Sequence, residues 1–167
     1  MSEIVRESSK LIVFNLSQHV LKALVLYRSP SDKSRPGEFD FPGGGLEPGE
    51  TPGRAMRREA KEEAGMYIGR TLILPVISSR DVGRSGNHTH IRHLYMALVH
   101  EELPVFTSHE HSGYDWLPSD EVFAGLTHPV HKILFQSACK LVSDIPPTPP
   151  FETANQPHGL PSFTFAA

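Results

Sequence analysis

Apolar residues in this chain arrive in short runs separated by turn-forming clusters. Leu11 to Phe14 and Val20 to Tyr27, rich in Val, Leu and Ile and parted by Ser17 and Gln18, predict two strands at the centre of a sheet. Ser29 to Gly37 carries Pro, Ser, Asp and Gly and reads as a loop, after which Phe39 to Phe41 forms a short strand leading into a glycine turn. Thr51 suits a helix cap, Pro52 the first helical position, and Gly65 the left-handed turn that ends a helix, so the spacing predicts a helix over Pro52 to Ala64. Tyr67 to Arg80 and Thr89 to Glu101 read as long strands joined by the turn-rich DVGRSGNH. A strand containing Trp116 and a short acidic helix follow. Val130, Ile133, Leu134, Ala138, Leu141 and Val142 then recur at near-helical spacing, predicting an amphipathic helix over His128 to Val142 that covers the sheet. Residues 1–9 read as a loose polar lead-in. Beyond Asp144 the prolines 146, 147, 149, 150, 157 and 161 preclude helix and central strand, leaving an extended tail.

The densest chemistry lies in FPGGGLEPGETPGRAMRREAKEEAGM, Phe41 to Met66. Counted from Gly44, Glu50 stands six positions on, Arg58 and Glu59 fourteen and fifteen, Glu62 and Glu63 eighteen and nineteen, and Gly65 twenty-one. At about 100° per residue, Glu59, Glu62 and Glu63 fall on one side of the predicted helix. Like charges gathered on adjoining turns repel, and helix propensity gives no reason to collect them. A divalent cation does: carboxylate oxygens suit Mg²⁺ or Mn²⁺, and magnesium prefers a few carboxylates plus waters and substrate phosphates to a closed protein cage. Gly43, Gly44 and Gly45 let the backbone approach an ion or phosphate without a Cβ in the way. A solvated helix with ordinary pairs such as Arg58 and Glu62, worth about 0.2 to 0.5 kcal/mol each, is the competing reading.

Seven residue types at these offsets arise by chance at roughly one in a billion per start position. The pattern is that of the Nudix box, and the chain resembles the Nudix hydrolase family over about residues 10–143. Ala60 stands where the pattern carries a bulky aliphatic, and alanine still suits an apolar helix face. The resemblance implies an α/β/α sandwich with a central mixed sheet, the box helix beside it and its glutamates facing a cleft. It implies hydrolysis of a pyrophosphate bond in a nucleoside diphosphate linked to a further group, with Mg²⁺ or Mn²⁺ as cofactor. Glu59, Glu62 and Glu63, with a carbonyl at Gly44, are the implied metal ligands, and Glu50 with Arg58 the structural ion pair. Glu110, in a loop before the Trp strand, resembles the further carboxylate of many such enzymes, as metal ligand or as base for the attacking water; either Glu59 or Glu110 is the base. Glu101, Glu102 and Glu121 are poorer candidates.

The substrate is less legible. ADP-ribose hydrolases of the family tend to carry a proline where this chain has Asp81, and diadenosine polyphosphate hydrolases a tyrosine where none occurs between Val82 and Gly86. A nucleoside triphosphate, oxidised or not, is the first expectation; a nucleotide sugar or ADP-ribose, or a nucleotide sensor that does not cut, are the alternatives. Phe39, Phe41 or Tyr27 are candidates to stack on a base, with core packing as the other reading. Arg84, with Arg80 and Arg92, reads as solvated surface, with phosphate contact as the alternative. His88, His90 and His93 read as a strand pair, with His93 on the opposite face, rather than as a zinc site.

Composition narrows the setting. At 167 residues and 38% apolar content the chain fits one domain with a real core, and a net charge of -3 provides no global basic footprint for a nucleic-acid backbone. Cys139 is the lone cysteine, so no internal disulfide can form, in keeping with a reducing compartment. No apolar core of a signal peptide appears near the start and no run approaches a membrane span, so a cytoplasmic protein is expected. Phe151, Leu160, Phe163 and Phe165 make the tail apolar for a linker, and it is expected to dock on the body or on a second subunit of a homodimer.

Overall fold

The computed structural model describes residues 4–16, 20–68, 73–82 and 88–145, with backbone alone for 73–82 and 88. In chain order the elements are β1 (Ile4–Asn15), β2 (Lys22–Arg28), β3 (Phe39–Asp40), α1 (Pro52–Ala64), β4 (Ile73–Val82), β5 (His88–Val99), β6 (His111–Pro118), α2 (Ser119–Gly125) and α3 (Pro129–Ser143). The strands form one mixed sheet. β2 pairs antiparallel with β6 along its length, while its other edge is shared: Lys22 and Ala23 pair with β1, and Leu26 and Tyr27 with β3. β1 pairs in parallel with β5 from Ile4 to Asn15, and β5 antiparallel with β4.

Strand alternation divides the core into two layers. Leu11, Val13, Leu24 and Leu26 pack with Met56, Ala60 and Ala64 of α1. Ile12, Phe14, Ala23 and Val25 pack with Val122 of α2 and Leu134, Phe135 and Ala138 of α3. The architecture is therefore an α/β/α sandwich. Ala60, small where a bulky residue was expected, is fully buried against the sheet.

β1 and β2 part company after only two residue pairs, and the gap this leaves is where the glycine turn is laid. Leu11 N–H donates to Pro42 O at 2.8 Å, Ser9 N–H to Gly44 O at 2.9 Å, and Leu46 N–H to Glu7 O at 3.1 Å. Residues 42–46 thus act as an irregular neighbour strand to β1, and α1 starts immediately afterwards, pinned by Ser9 Oγ donating to Pro52 O at 2.7 Å.

Several expectations need correction. Residues 4–9 are not a loose lead-in: they extend β1, because a parallel ladder with residues 88–93 of β5 satisfies their backbone groups whatever their side chains. Tyr67 is not in a strand; it lies in coil, 81% exposed, and β4 begins at Ile73. Glu101 falls outside β5. Thr51 takes the cap position, yet its side chain makes no capping hydrogen bond; Gly65 does close the helix in the left-handed conformation, with φ 65°. Arg84 and the tail beyond Ile145, with its apolar residues, lie outside the described residues, as do the side chains of Arg80, Asp81 and His88.

Gly43 has φ 143°, and a Cβ there would collide with the Ser9 carbonyl and Lys10 Cα, whereas Gly49, with φ 77°, faces open space. We expect Gly43→Ala to lower unfolding free energy by about 2 kcal/mol or more and Gly49→Ala by only about 1 kcal/mol, measured by urea denaturation. Equal losses at the two sites would show that the close approach to β1 is not tight.

Candidate active site

The glycine turn and α1 meet through a set of charged contacts. Arg58 projects from α1 and donates from Nε and Nη2 to Glu50, at 3.1 and 3.0 Å, and from Nη2 to Gly45 O at 3.0 Å. Its Nη1 donates to Glu59 Oε1 at 2.9 Å and Glu62 Oε2 at 3.1 Å. The guanidinium therefore ties loop to helix and also offsets the repulsion among the glutamates. Glu63, one turn beyond Glu59, is 7% exposed and accepts Gly43 N–H at 2.7 Å. Burial pushes its carboxyl up to about 7, and burial likewise raises that of Glu59 against the opposing pull of Arg58. A Cβ on Gly44 would collide with the Glu59 carboxylate, so glycine is required for that side chain to lie against the turn.

These groups border a cavity of about 790 Å³ whose lining includes Gly43, Gly44, Gly45, Glu59, Glu63 and Glu110. Glu110 arrives from the loop before β6, its backbone carbonyl accepting Ser29 N–H at 2.8 Å, and its side chain is exposed. Glu62 does not line the cavity; it is turned outward onto Arg58, with its side chain 57% exposed. The Gly44 carbonyl faces β1, where it accepts Ser9 N–H. As the side chains stand, no three acidic, imidazole or thiol groups among the described residues cluster tightly enough to chelate one ion unaided. Two carboxylates beside a glycine turn nevertheless suit magnesium, which takes one or two carboxylates and completes its shell with waters and phosphates.

The cavity also holds cations that sequence inspection passed over. Lys10, from β1, donates from Nζ to Asp40 Oδ1 at 2.8 Å and to Phe41 O at 2.9 Å. Arg28 Nη1 donates to Asp40 Oδ2 at 2.6 Å, and Arg35 Nη2 lies 3.5 Å from the same oxygen. Lys10, Arg28 and Arg35 all line the cavity, while Asp40 is wholly buried beneath them. Burial alone would raise the Asp40 carboxyl; Lys10 and Arg35 hold it well below the usual carboxylate range, with His131, pushed down to about 3 by burial, carrying no charge near neutrality. Two signals were present in the sequence: a lysine starting an apolar strand run, and an aspartate between two phenylalanines. Neither identifies its partner.

Arg92 lines the cavity too, beside Arg6, so it belongs to the site and not to the distant surface. His90 lines it as well, 3.1 Å from Ser8 Oγ, whereas His93 pairs with Glu7 Oε2 at 2.8 Å. None of the three candidate stacking aromatics lines the cavity. Phe41 is core, stacked on Phe135 with centroids 5.7 Å apart. Tyr27 and Phe39 pack edge to face, and the Tyr27 hydroxyl donates to Asp115 at 2.6 Å. Glu101, Glu102 and Glu121 lie elsewhere, Glu102 pairing with Lys22.

A family model for the NUDIX domain matches residues 7–138. Among similar sequences, a nucleoside triphosphatase NudI of Escherichia coli O17:K52:H18 is 33% identical over 106 residues, covering 59% of this chain and 75% of that protein. One from Enterobacter sp. strain 638 is 43% identical over 54 residues, covering 32% and 38%. Among solved structures, a C. elegans Ap4A hydrolase binary complex superposes with a TM-score of 0.70 at 19% identity, covering 83% of this chain and 98% of that one. The NUDIX domain of Shewanella oneidensis NrtR, complexed with ADP ribose, gives 0.69 at 17% identity, covering 85% and 90%.

Because the Asp40 carboxyl is depressed in the folded state, the stability it contributes is fully present above about pH 4, the unfolded value, and is lost as pH falls below it. Asp40→Asn leaves Lys10 without its anion and Arg28 with Asp32 alone, and should cost about 3 to 5 kcal/mol at pH 7. Urea denaturation from pH 7 to 3 should show wild-type stability falling more steeply below pH 5 than that of the variant; parallel curves would mean that Asp40 is not the paired anion.

Proposed function

Since the chain belongs to the Nudix family and is a Nudix pyrophosphohydrolase, we propose that it is Mg²⁺-dependent, that its substrate is a nucleoside triphosphate, and that Glu59 and Glu63 hold the cation while Glu110 serves as base. The observation that carries this reading is the placement of two buried or half-buried carboxylates, a Cβ-free turn and an exposed third carboxylate around one cavity. The likeness to the NudI nucleoside triphosphatases supports the substrate class. The absence of a second cysteine is the ground on which we place the protein in the cytoplasm.

The residues present fit a magnesium ion. Their oxygens are hard donors, and a nearby cation would relieve the desolvation that raises Glu59 and Glu63. Glu62, which would have to leave Arg58 to reach the cavity, and the Gly44 carbonyl, which already accepts Ser9 N–H, complete the ligand set we assign. When bound, the ion supplies charge neutralisation at the diphosphate and a more acidic water. Everything else falls to the chain. Arg58 keeps the turn at a fixed depth against α1, so that the carboxylates are oriented before substrate arrives. Lys10, Arg6 and Arg92 add positive charge along the phosphate path, where it offsets charge that develops during attack. Glu59 already receives Arg58 Nη1, whereas Glu110 is paired with no cation among the described residues, which favours Glu110 for taking the proton from the attacking water.

Substitution separates these roles. Glu63→Gln should lower kcat/KM for a nucleoside triphosphate at least about a hundredfold and weaken Mn²⁺ binding, read by calorimetry, with the melting temperature kept. Glu110→Gln should lower kcat comparably while leaving Mn²⁺ affinity as it was; weakened Mn²⁺ affinity in Glu110→Gln with kcat intact in Glu59→Gln would reverse both assignments. A Mg²⁺-dependent phosphate-release assay over a nucleotide panel tests the substrate class, and tight binding without turnover of any nucleotide would favour the sensor.

A further inference from the structure

α3 begins at the cleft. Thr127, His128, Pro129 and His131 line the cavity, and the helix runs for 15 residues from Pro129. The first turn of an α-helix presents N–H groups with no intrahelical partner and the positive end of the helix dipole. Here no side chain caps that turn and no acid lies within it. His131, in the same turn, is 5% exposed, and its Nδ1 is buried without a hydrogen-bond partner, the Asp40 carboxylate lying 3.9 Å away and out of reach.

Around Asp40 stand three cations, Lys10, Arg28 and Arg35, compensated by two carboxylates, Asp40 itself and Asp32 on Arg28. Among these five groups positive charge exceeds negative by one, with Glu63 also within the field of Lys10. Arg28 Nε and Arg35 Nη1 are also buried without a partner. Buried donors lacking an acceptor are rare in folded proteins and each requires an account. His131, Arg28 and Arg35, the residues that carry these nitrogens, line one cavity together with the uncapped start of α3, and guanidinium and backbone N–H groups are satisfied by the same kind of group, an anion with several acceptor oxygens.

We propose that the first turn of α3, together with Arg35, Arg28 and Lys10, forms a second anion subsite of the cleft, which takes a phosphate group of the substrate other than the one held at Glu59 and Glu63. The inference rests on the pyrophosphohydrolase reading and sharpens it: a chain of three phosphates can reach both subsites, whereas a diphosphate spends its charge at the carboxylates' cation. Arg35 is a binding residue in this scheme. Asp40 is a positioning residue, since it acts by holding the cations in place.

The test uses the full chain. In EDTA, inorganic tripolyphosphate is titrated into ¹⁵N-labelled protein; the amide signals of Val130 and His131 should shift and saturate, and return on adding salt. His128→Asp provides a capping carboxylate, which satisfies the same N–H groups, so it should keep or raise the melting temperature while abolishing those shifts. In turnover, Arg35→Gln should raise KM for a nucleoside triphosphate roughly tenfold or more with kcat within about twofold, leave KM for the matching diphosphate nearly unchanged, and be partly rescued by Arg35→Lys. Unmoved amides in the wild type, or a KM change equal for triphosphate and diphosphate, would overturn the subsite while leaving the hydrolase reading intact. Conversely, if no nucleotide is turned over but tripolyphosphate still shifts Val130 and His131 in the wild type and not in His128→Asp, the subsite stands and the hydrolase reading falls.

Discussion

The hydrogen bonds that lay residues 42–46 along β1 set everything downstream. They exist because β1 leaves β2 after two pairs, which exposes the β1 N–H groups of Ser9 and Leu11 to the glycine turn. Only a residue without a Cβ tolerates the approach at Gly43, and the same geometry turns the Gly43 N–H toward α1, where Glu63 accepts it. A carboxylate as buried as Glu63 would ordinarily cost several kcal/mol. It is tolerated because one backbone donor is aimed at it and Lys10 lies close enough to oppose the desolvation.

The cleft that results is electrically divided. α1 brings carboxylates, and β1, β2 and the loop after β2 bring Lys10, Arg28 and Arg35, fixed by a single buried aspartate. Such a buried cluster adds little net stability, because desolvating its charges takes back most of what their attraction yields. Its effect is on geometry: the cations are fixed in orientation where they border the cavity, and no reorganisation is required when a phosphate arrives. Arg58 does the same for the acidic side, since a planar fork that meets Glu50, Glu59, Glu62 and the Gly45 carbonyl at once leaves turn and helix little freedom to slide.

What could be read from the residues followed the range of the forces involved. The α1 helix, its Pro52 start and its Gly65 end are local and periodic, and they appear where expected. The first half of β1 is polar and gives no apolar run, so only its long-range partner β5 reveals it as a strand. Helical angle alone grouped Glu62 with Glu59 and Glu63, yet α1 packs so that Glu63 is buried, Glu59 lines the cleft and Glu62 sits at the rim on Arg58. Lys10 and Asp40, thirty residues apart, meet only because β1 leaves β2 after two pairs and β3, followed by the glycine turn, takes its place along the same edge. The strand parity that put His93 opposite His90 held, and the same parity places Arg92 with His90 on the cleft.

Anomalous diffraction from crystals of the protein equilibrated with Mn²⁺ tests the central arrangement most directly. The account predicts an ion peak in the cavity between the glycine turn and the carboxylates of Glu59 and Glu63. A peak bound elsewhere, with those two side chains making no contact to it, would contradict it.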